Sequence, residues 1–486
     1  MSTTPRTEDP AVGAVAWVVL VAAFGGFLFG FDTAVINGAV GPVSDEFDLG
    51  AGMSGFSVSS ALLGCVVGAF TGGKISDLLG RQKAMLVAAG LFLISAVGTG
   101  LVVGVPDLIF WRVVGGVGVG MASVIAPAYI AEVSPANWRG RLGSLFQLAI
   151  VTGIFMAAFS NWIFAEVAGG ASEELWFGLE AWRWMFLSEA APALIYGLFA
   201  LSIPESPRYL VSRGREDAAK RVLRDVVGLR GESAIAEKVA DIRATINLEA
   251  RQKLKDLFLG GKLMPIVWVG VGLAVFQQFV GINVIFYYST SLWTAVGIAE
   301  EQAMLVQVIT TSVNIIATIV GILIVDKVGR RIPLAVGSGI MALGLGMMAI
   351  AFSQAELIEV VNEFGETETE PNLTGAWGPI ALVSANVFVI GFGATWGPFM
   401  WLMLGEMFPN RVRAVALGVC SAFNWAANFA ISSSFPSMAE VSLVFSYGFY
   451  AISALISLFF VLKFVPETKG REIEDMKEQA FSRSRS

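Results

Sequence analysis

The chain contains no histidine and only two cysteines in 486 residues, and only 15% of it is charged. Without histidine, no imidazole can relay a proton near neutral pH. Any group that titrates there must be a carboxylate moved by its surroundings. Cys65 and Cys420 both sit inside apolar runs, so no disulfide framework is implied. No metal-ligand cluster, nucleophile–base pair or glycine-rich phosphate loop is present, which argues against an enzyme, a bound cofactor or an ATP-driven pump. A net charge of −7 carries no footprint for nucleic acid.

Positive charge is also missing from particular places. The hydrophilic gap 41–53 carries Asp45, Glu46 and Asp48, the gap around Ser172 carries Glu173 and Glu174, and the gap 354–377 is rich in glutamate. None of these holds a lysine or arginine, while the alternate gaps hold nearly all 32 of them. That asymmetry marks a polytopic membrane protein and orients it, with both termini cytosolic and the acidic gaps outside. The expected location is the plasma membrane. The first apolar run is too long to read as a cleavable leader.

What the chain has in excess is apolar sequence, 55% of its residues. A spanning helix needs roughly 20 such residues. Twelve runs qualify, near 14–38, 54–75, 84–103, 107–131, 142–167, 182–203, 264–294, 302–326, 333–353, 376–404, 412–436 and 443–465. The 54 glycines let helix backbones approach closely in lipid, where packing replaces the hydrophobic effect. Between the sixth and seventh runs, 204–262 is charged and helix-forming, and it reads as two or more amphipathic cytosolic helices.

The two halves repeat. Asp77-Leu-Leu-Gly80-Arg81 follows span two, and Asp326-Lys-Val-Gly329-Arg330 follows span eight. Glu132-Val-Ser-Pro135 follows span four with Arg139 beyond it, and Glu406-Met-Phe-Pro409 follows span ten with Arg413 at the same separation. Pro204-Glu205 follows span six, and Pro466-Glu467 follows span twelve. The expected fold is therefore an all-α membrane protein of twelve helices in two parallel-duplicated six-helix halves. The expected boundaries are 1–203 and 263–466 for the halves, 204–262 for the linker and 467–486 for a cytosolic tail.

Two charges lie inside the spans. Asp32 falls in the outer half of span one and Arg112 at similar depth in span four. A buried ionisable residue is costly, and pairing the two is the simplest solution. The pair reads as a proton site, or as a static structural ion pair. The spans also carry neutral amides, Gln147, Gln277, Gln278, Asn283, Asn314 and Asn424, with the aromatics Phe29, Trp401 and Trp425. Amides that donate and accept, beside flat aromatic surfaces, suit a sugar. They also suit interhelical hydrogen bonds and interfacial belts. Tyr287 and Tyr288 break an apolar face late in span seven.

Four stretches resemble the sugar porter family of the major facilitator superfamily. They are Gly26-Phe-Leu-Phe-Gly-Phe-Asp-Thr-Ala-Val-Ile-Asn-Gly38, Pro204-Glu-Ser-Pro-Arg-Tyr-Leu210, Gln277-Gln-Phe-Val-Gly-Ile-Asn-Val-Ile-Phe-Tyr-Tyr288 and Pro466-Glu-Thr-Lys-Gly470. Within the family the chain looks closest to actinobacterial glucose permeases and related inositol or pentose symporters. The resemblance implies a monosaccharide and a proton as partners, and a functional monomer in the bilayer. It implies Asp32 and Arg112 as the coupling pair, because proton-coupled members carry Asp where facilitative glucose transporters carry Asn. It implies the amides and aromatics above as sugar contacts, while Tyr287 and Tyr288, near the outside, read as an outer gate or as an ordinary aromatic belt. Asp77, Arg81, Glu132, Arg139, Glu205, Arg208, Asp326, Arg330, Glu406, Arg413 and Glu467 are implied as cytosolic ion-pair locks of the inward-closed state. Ile154 and Asn424 depart from the family's xylose-symporter pattern, which favours a hexose over xylose, with myo-inositol and galactose as further alternatives.

Overall fold

The computed structural model describes residues 12–135, 139–249, 253–361, 367–409 and 412–468. Among them, twelve helices are long and apolar enough to cross a membrane. Spans one to six are Gly13–Gly38, Ala51–Leu79, Arg81–Gly100, Val105–Val133, Leu142–Ala168 and Ala181–Ser202. Spans seven to twelve are Pro265–Tyr287, Glu300–Val325, Arg331–Phe352, Trp377–Met407, Val415–Val441 and Leu443–Phe464. Three helices form the linker, Pro207–Ser212, Glu216–Asp225 and Glu232–Glu249. Their buried faces include Leu210, Ala219, Leu223 and Ile235, leaving the charged residues to solvent. The linker side of the molecule is here called the linker face, and the other the opposite face.

Within a half, small residues set the packing. An ideal Cβ on Gly64 or Gly68 of span two would lie 2.1 or 2.2 Å from the carbonyl oxygen of Val113 or Val117 in span four. A Cβ on Gly116 or Gly120 of span four would lie 1.8 or 2.2 Å from the carbonyl of Ala61 or Cys65. The two backbones therefore touch through a reciprocal small-xxx-small seam.

Each repeated motif has a physical job at the linker face. Gly80 takes φ +97° and Gly329 takes φ +81°, turning the chain between consecutive spans. The Glu205 carboxylate accepts from the backbone N–H groups of Arg81 and Gln82, which open span three. Glu467 accepts in the same way from Arg330 and Arg331 at the start of span nine. A glutamate from a distant segment thus caps each helix N-terminus, satisfying donors that have no partner within the helix. A Cβ at Gly80 would lie 2.1 Å from Glu205 Oε2, so the turn and the cap both require glycine.

One detail differs from the sequence expectation. Span seven does not run unbroken from 264 to 294. Its helix stops at Phe279, Gly281 adopts φ +79°, and short helices Ile282–Tyr287 and Ser289–Thr294 follow. The glutamate-rich gap 354–377 contains a hairpin of Glu356–Val361 against Thr367–Asn372.

The halves meet at the opposite face. Phe56 of span two packs edge-on to Phe429 of span eleven with ring centroids 6.3 Å apart. Asn37 Oδ1 accepts from the backbone N–H of Thr290, 3.0 Å, and Glu300 Oε2 from that of Ala171, 3.3 Å. The chain is thus closed on that side.

Candidate functional site

The spans bring the predicted polar residues into two groups, one in each half. In the first half Asp32 and Arg112 are buried together. Arg112 Nη1 lies 3.6 Å from Asp32 Oδ1 and donates to the Asp32 backbone carbonyl at 3.1 Å. The carboxylate contact is longer than a charge-assisted hydrogen bond at its best. Arg112 also lies over the Phe186 ring, 5.8 Å from its centroid.

A third charge completes this group, one that the sequence reading passed over. Glu189 of span six is 1% exposed, and its carboxyl is within hydrogen-bonding reach of that of Asp32. The signal was available, since Glu189 interrupts an apolar run just as Asp32 does. Two carboxyls therefore lie close together with a single guanidinium near them, which makes its ion pair with Asp32. With both ionised, the buried cluster carries one uncompensated negative charge, which costs several kcal/mol away from water. One proton held between the carboxyls removes it.

The second group lies where span seven breaks. Gln277 and Gln278 are adjacent, yet both are buried in one network. Asn424 of span eleven donates to Gln277 Oε1 at 2.9 Å and accepts from Gln278 Nε2 at 3.2 Å. Asn283, beyond the break, donates to Gln278 Oε1 at 2.7 Å. Gln277 also donates to the Trp396 carbonyl at 3.2 Å. The Gly281 kink turns Asn283 back toward Gln278, which an unbroken helix would place on different faces.

The remaining candidates surround this network or lie apart from it. Phe29 of span one meets Trp425 of span eleven with centroids 5.8 Å apart, so the halves also touch in mid-membrane. Gln147 of span five faces Gly397 of span ten, whose ideal Cβ would lie 3.8 Å from Gln147 Nε2. Asn314 of span eight faces Gly393, whose Cβ would lie 2.6 Å from Asn314 Oδ1. Gly393 belongs to a π-helical turn, Phe392–Trp396. Trp401, one turn past Gly397, is 38% exposed toward the linker end of span ten. Ile154 is buried against the backbone of Gly30.

Tyr287 and Tyr288 are buried at the closed opposite face. Tyr287 lies close to Asn428, and Tyr288 Oη donates to the Ser432 carbonyl at 2.7 Å.

Among the described residues, ion pairs at the linker face join residues of the same half or of a half and the linker. Arg81 binds Asp77 at 2.9 Å and Glu132 at 3.0 Å, and Arg208 lies 3.7 Å from Glu132. Arg330 binds Glu406 at 2.8 Å. Ser206 and Thr468 add hydroxyl donors to Glu132 and Glu406 respectively. Burial pushes the Glu205 carboxyl above its usual range, against the pull of its three backbone donors and Arg81. Arg413 donates to the Phe408 carbonyl, and burial lowers it. The side chains of Arg139 and Asp326 lie outside the described residues.

Residues 18–480 match the family model described as "Sugar (and other) transporter". The chain belongs to this family, the sugar porters of the major facilitator superfamily. It is 51% identical over 478 residues to a glucose transport protein of Synechocystis, covering 98% of this chain and 99% of that one. It is 35% identical over 493 residues to the D-xylose–proton symporter of Escherichia coli, covering 95% and 94%. Among solved structures, the xylose transporter XylE from E. coli in a partially occluded inward-open conformation matches with TM-score 0.79. That match has 34% identity and covers 95% of this chain and all of that one. A fully inward-open form of the same porter also matches with TM-score 0.79. Closure at the opposite face agrees with both.

Proposed function

We propose that this porter imports a monosaccharide, glucose or a related hexose, together with a proton by alternating access. The linker face is cytosolic in this reading, with both termini on that side and the acidic hairpins outside, and the working unit is a monomer. The transporting bodies are residues 1–203 and 263–466, rocking about the amide network, with 204–262 and the 467–486 tail in the cytosol.

The observation that carries the coupling is the separation of roles between the halves. The first half holds a buried cluster that is charge-balanced only with one proton aboard. The second holds neutral amides that exchange hydrogen bonds among themselves. A sugar entering there replaces amide–amide bonds with amide–hydroxyl bonds, so no donor is left bare. Asp32 and Glu189 take up the proton, Arg112 answers by shifting between the carboxyls and the carbonyl of residue 32, and span one moves with it. Span one also carries Phe29, which touches Trp425 in the sugar half. A proton drives the cycle only if it binds the two states unequally. A cluster buried in the closed state and wetted in the open one meets that condition.

The relative at 51% identity is named as a glucose transport protein, and Asn424 with Ile154 fits the same class. Relatives also include a D-xylose–proton symporter and a major myo-inositol transporter, which sets the competitors. An uncoupled facilitator is the second reading, and Asp32 with Glu189 speaks against it. The test is uptake in vesicles with and without an imposed proton gradient, under competition by glucose, galactose, xylose and myo-inositol. Accumulation that follows the gradient and is inhibited best by a hexose supports the reading. Equilibration without accumulation selects the facilitator.

A further inference from the structure

Between spans five and six, at the opposite face, the chain makes a tight hairpin. Glu174–Trp176 pairs with Leu179–Glu180, and Trp176 stands across from Leu179. The two residues of the turn are Phe177 and Gly178, at φ +57° and φ +75°. A turn with both central residues at positive φ is normally built from Asn-Gly, Asp-Gly or Gly-Gly. Phenylalanine is a poor residue for that conformation. Its ring gains little inside the protein in return. Phe177 is 92% exposed, and its nearest ring neighbour, Trp184, is 6.1 Å away. A strained residue that buries nothing calls for a partner outside the chain.

The surroundings say what that partner is. Trp176 packs edge-on against Phe164 of span five, 6.1 Å, and against Trp184 of span six, 5.4 Å. Trp184 Nε1 donates to the Trp176 carbonyl, which spends its polar atom on holding the hairpin. The aromatic group is continuous with the lipid-facing surface, since Ile163 and Val167 of span five are exposed one helical turn apart beside Phe164. Hairpin and spans are joined by only a few residues, so the turn cannot rise far from the membrane edge. Aromatic rings with one wet and one apolar side favour that level of the bilayer.

We propose that the Trp176–Phe177 hairpin is a membrane hook, its Phe177 ring inserted among the lipid chains just below the headgroups of the leaflet at the opposite face. It would tie the outer ends of spans five and six to a fixed depth. Span five is also the first-half helix whose loop residue Ala171 hydrogen-bonds to Glu300 of the second half. The hook therefore gives the rocking halves a reference in the lipid.

The test places a nitroxide at Phe177→Cys in nanodiscs and measures collision with oxygen and with a water-soluble nickel chelate. Cys65 and Cys420 are buried, so labelling is confined to the new thiol. Oxygen collision exceeding nickel collision supports insertion. Nickel dominance, or protection from both reagents, places the turn in water or against protein and overturns the proposal. A second variant, Phe177→Asn, relieves the backbone and should raise the melting temperature in detergent. In lipid vesicles it should keep the wild-type affinity for sugar, because the hairpin is remote from the amide network. A tenfold loss of sugar affinity would make the hairpin part of sugar entry and sink the idea.

Discussion

In the proposed coupling Asp32 acts together with Glu189 beside Arg112, not as a single acid. Replacing it with asparagine keeps the shape and leaves Arg112 balanced by Glu189 without any proton. Asp32→Asn is expected to abolish gradient-driven accumulation while sugar counterflow without a gradient survives. Accumulation that persists removes Asp32 from coupling, and loss of both assays in a folded protein makes it a residue of the whole cycle. Trp401 is proposed to meet the sugar's apolar face. Its partial exposure on the linker-side part of span ten leaves a flat ring free to stack. Trp401→Ala should weaken sugar affinity by about 1–3 kcal/mol, roughly 5- to 150-fold, with no loss of thermal stability. Unchanged binding with lower stability would return the ring to packing.

At the scale of helices, the seam between spans two and four leaves no room for side chains. Gly116→Val would place a Cβ 1.8 Å from the Ala61 carbonyl and force the backbones apart. The expected outcome is loss of folded protein by size exclusion, whereas Gly90→Ala, with nothing near its Cβ, should be silent. The cap on span three gives a pH effect. The Glu205 carboxyl is raised in the folded protein, so the native state binds its proton more readily than the unfolded chain does. Its contribution to stability is therefore present below the ordinary glutamate range and is lost as pH rises through the folded value. Glu205→Gln keeps an acceptor oxygen for the amides of Arg81 and Gln82. It should flatten the fall in melting temperature as pH rises above about 4.5, the ordinary glutamate value. A wild-type slope unchanged in the variant would assign that pH dependence elsewhere.

For the whole molecule, the balance between two states rests on a few contacts that cross the halves. Asn37 of the first half caps the free amide of Thr290 in the second, and this bond must break when the opposite face opens. A cap of this kind is worth about 1 kcal/mol. Asn37→Ala should therefore raise the population open at the opposite face about fivefold. Spin-label distances between the outer ends of spans one and seven would show it as growth of the longer distance. The ion pairs of the linker face make the complementary statement. In this conformation they join spans of the same half, through Arg81 with Glu132 and Arg330 with Glu406, and so they stiffen each rocking body.

Much of this was legible in one dimension. Span number, the duplicated halves and the helical linker follow from hydrophobic run length and from motifs repeated at matching places. These are local properties, because a helix in lipid satisfies its backbone internally and needs only enough apolar residues in a row. That Asp32 and Arg112 would meet also followed, since two buried opposite charges at one depth have few alternatives. Glu189 was equally visible and went unread. Other features could be decided only by the tertiary structure. The break at Gly281 gathers Gln277, Gln278, Asn283 and Asn424 into one network, and no periodicity announces a left-handed residue between two helical turns. Phe177 became unusual only when its φ and its exposure were known together. The partners that Arg81 and Arg330 take, Glu132 and Glu406 of their own halves, depend on which spans lie beside them. Sequence specifies what each helix can bury, but which halves touch, and where, is set by small differences between packings of the same helices.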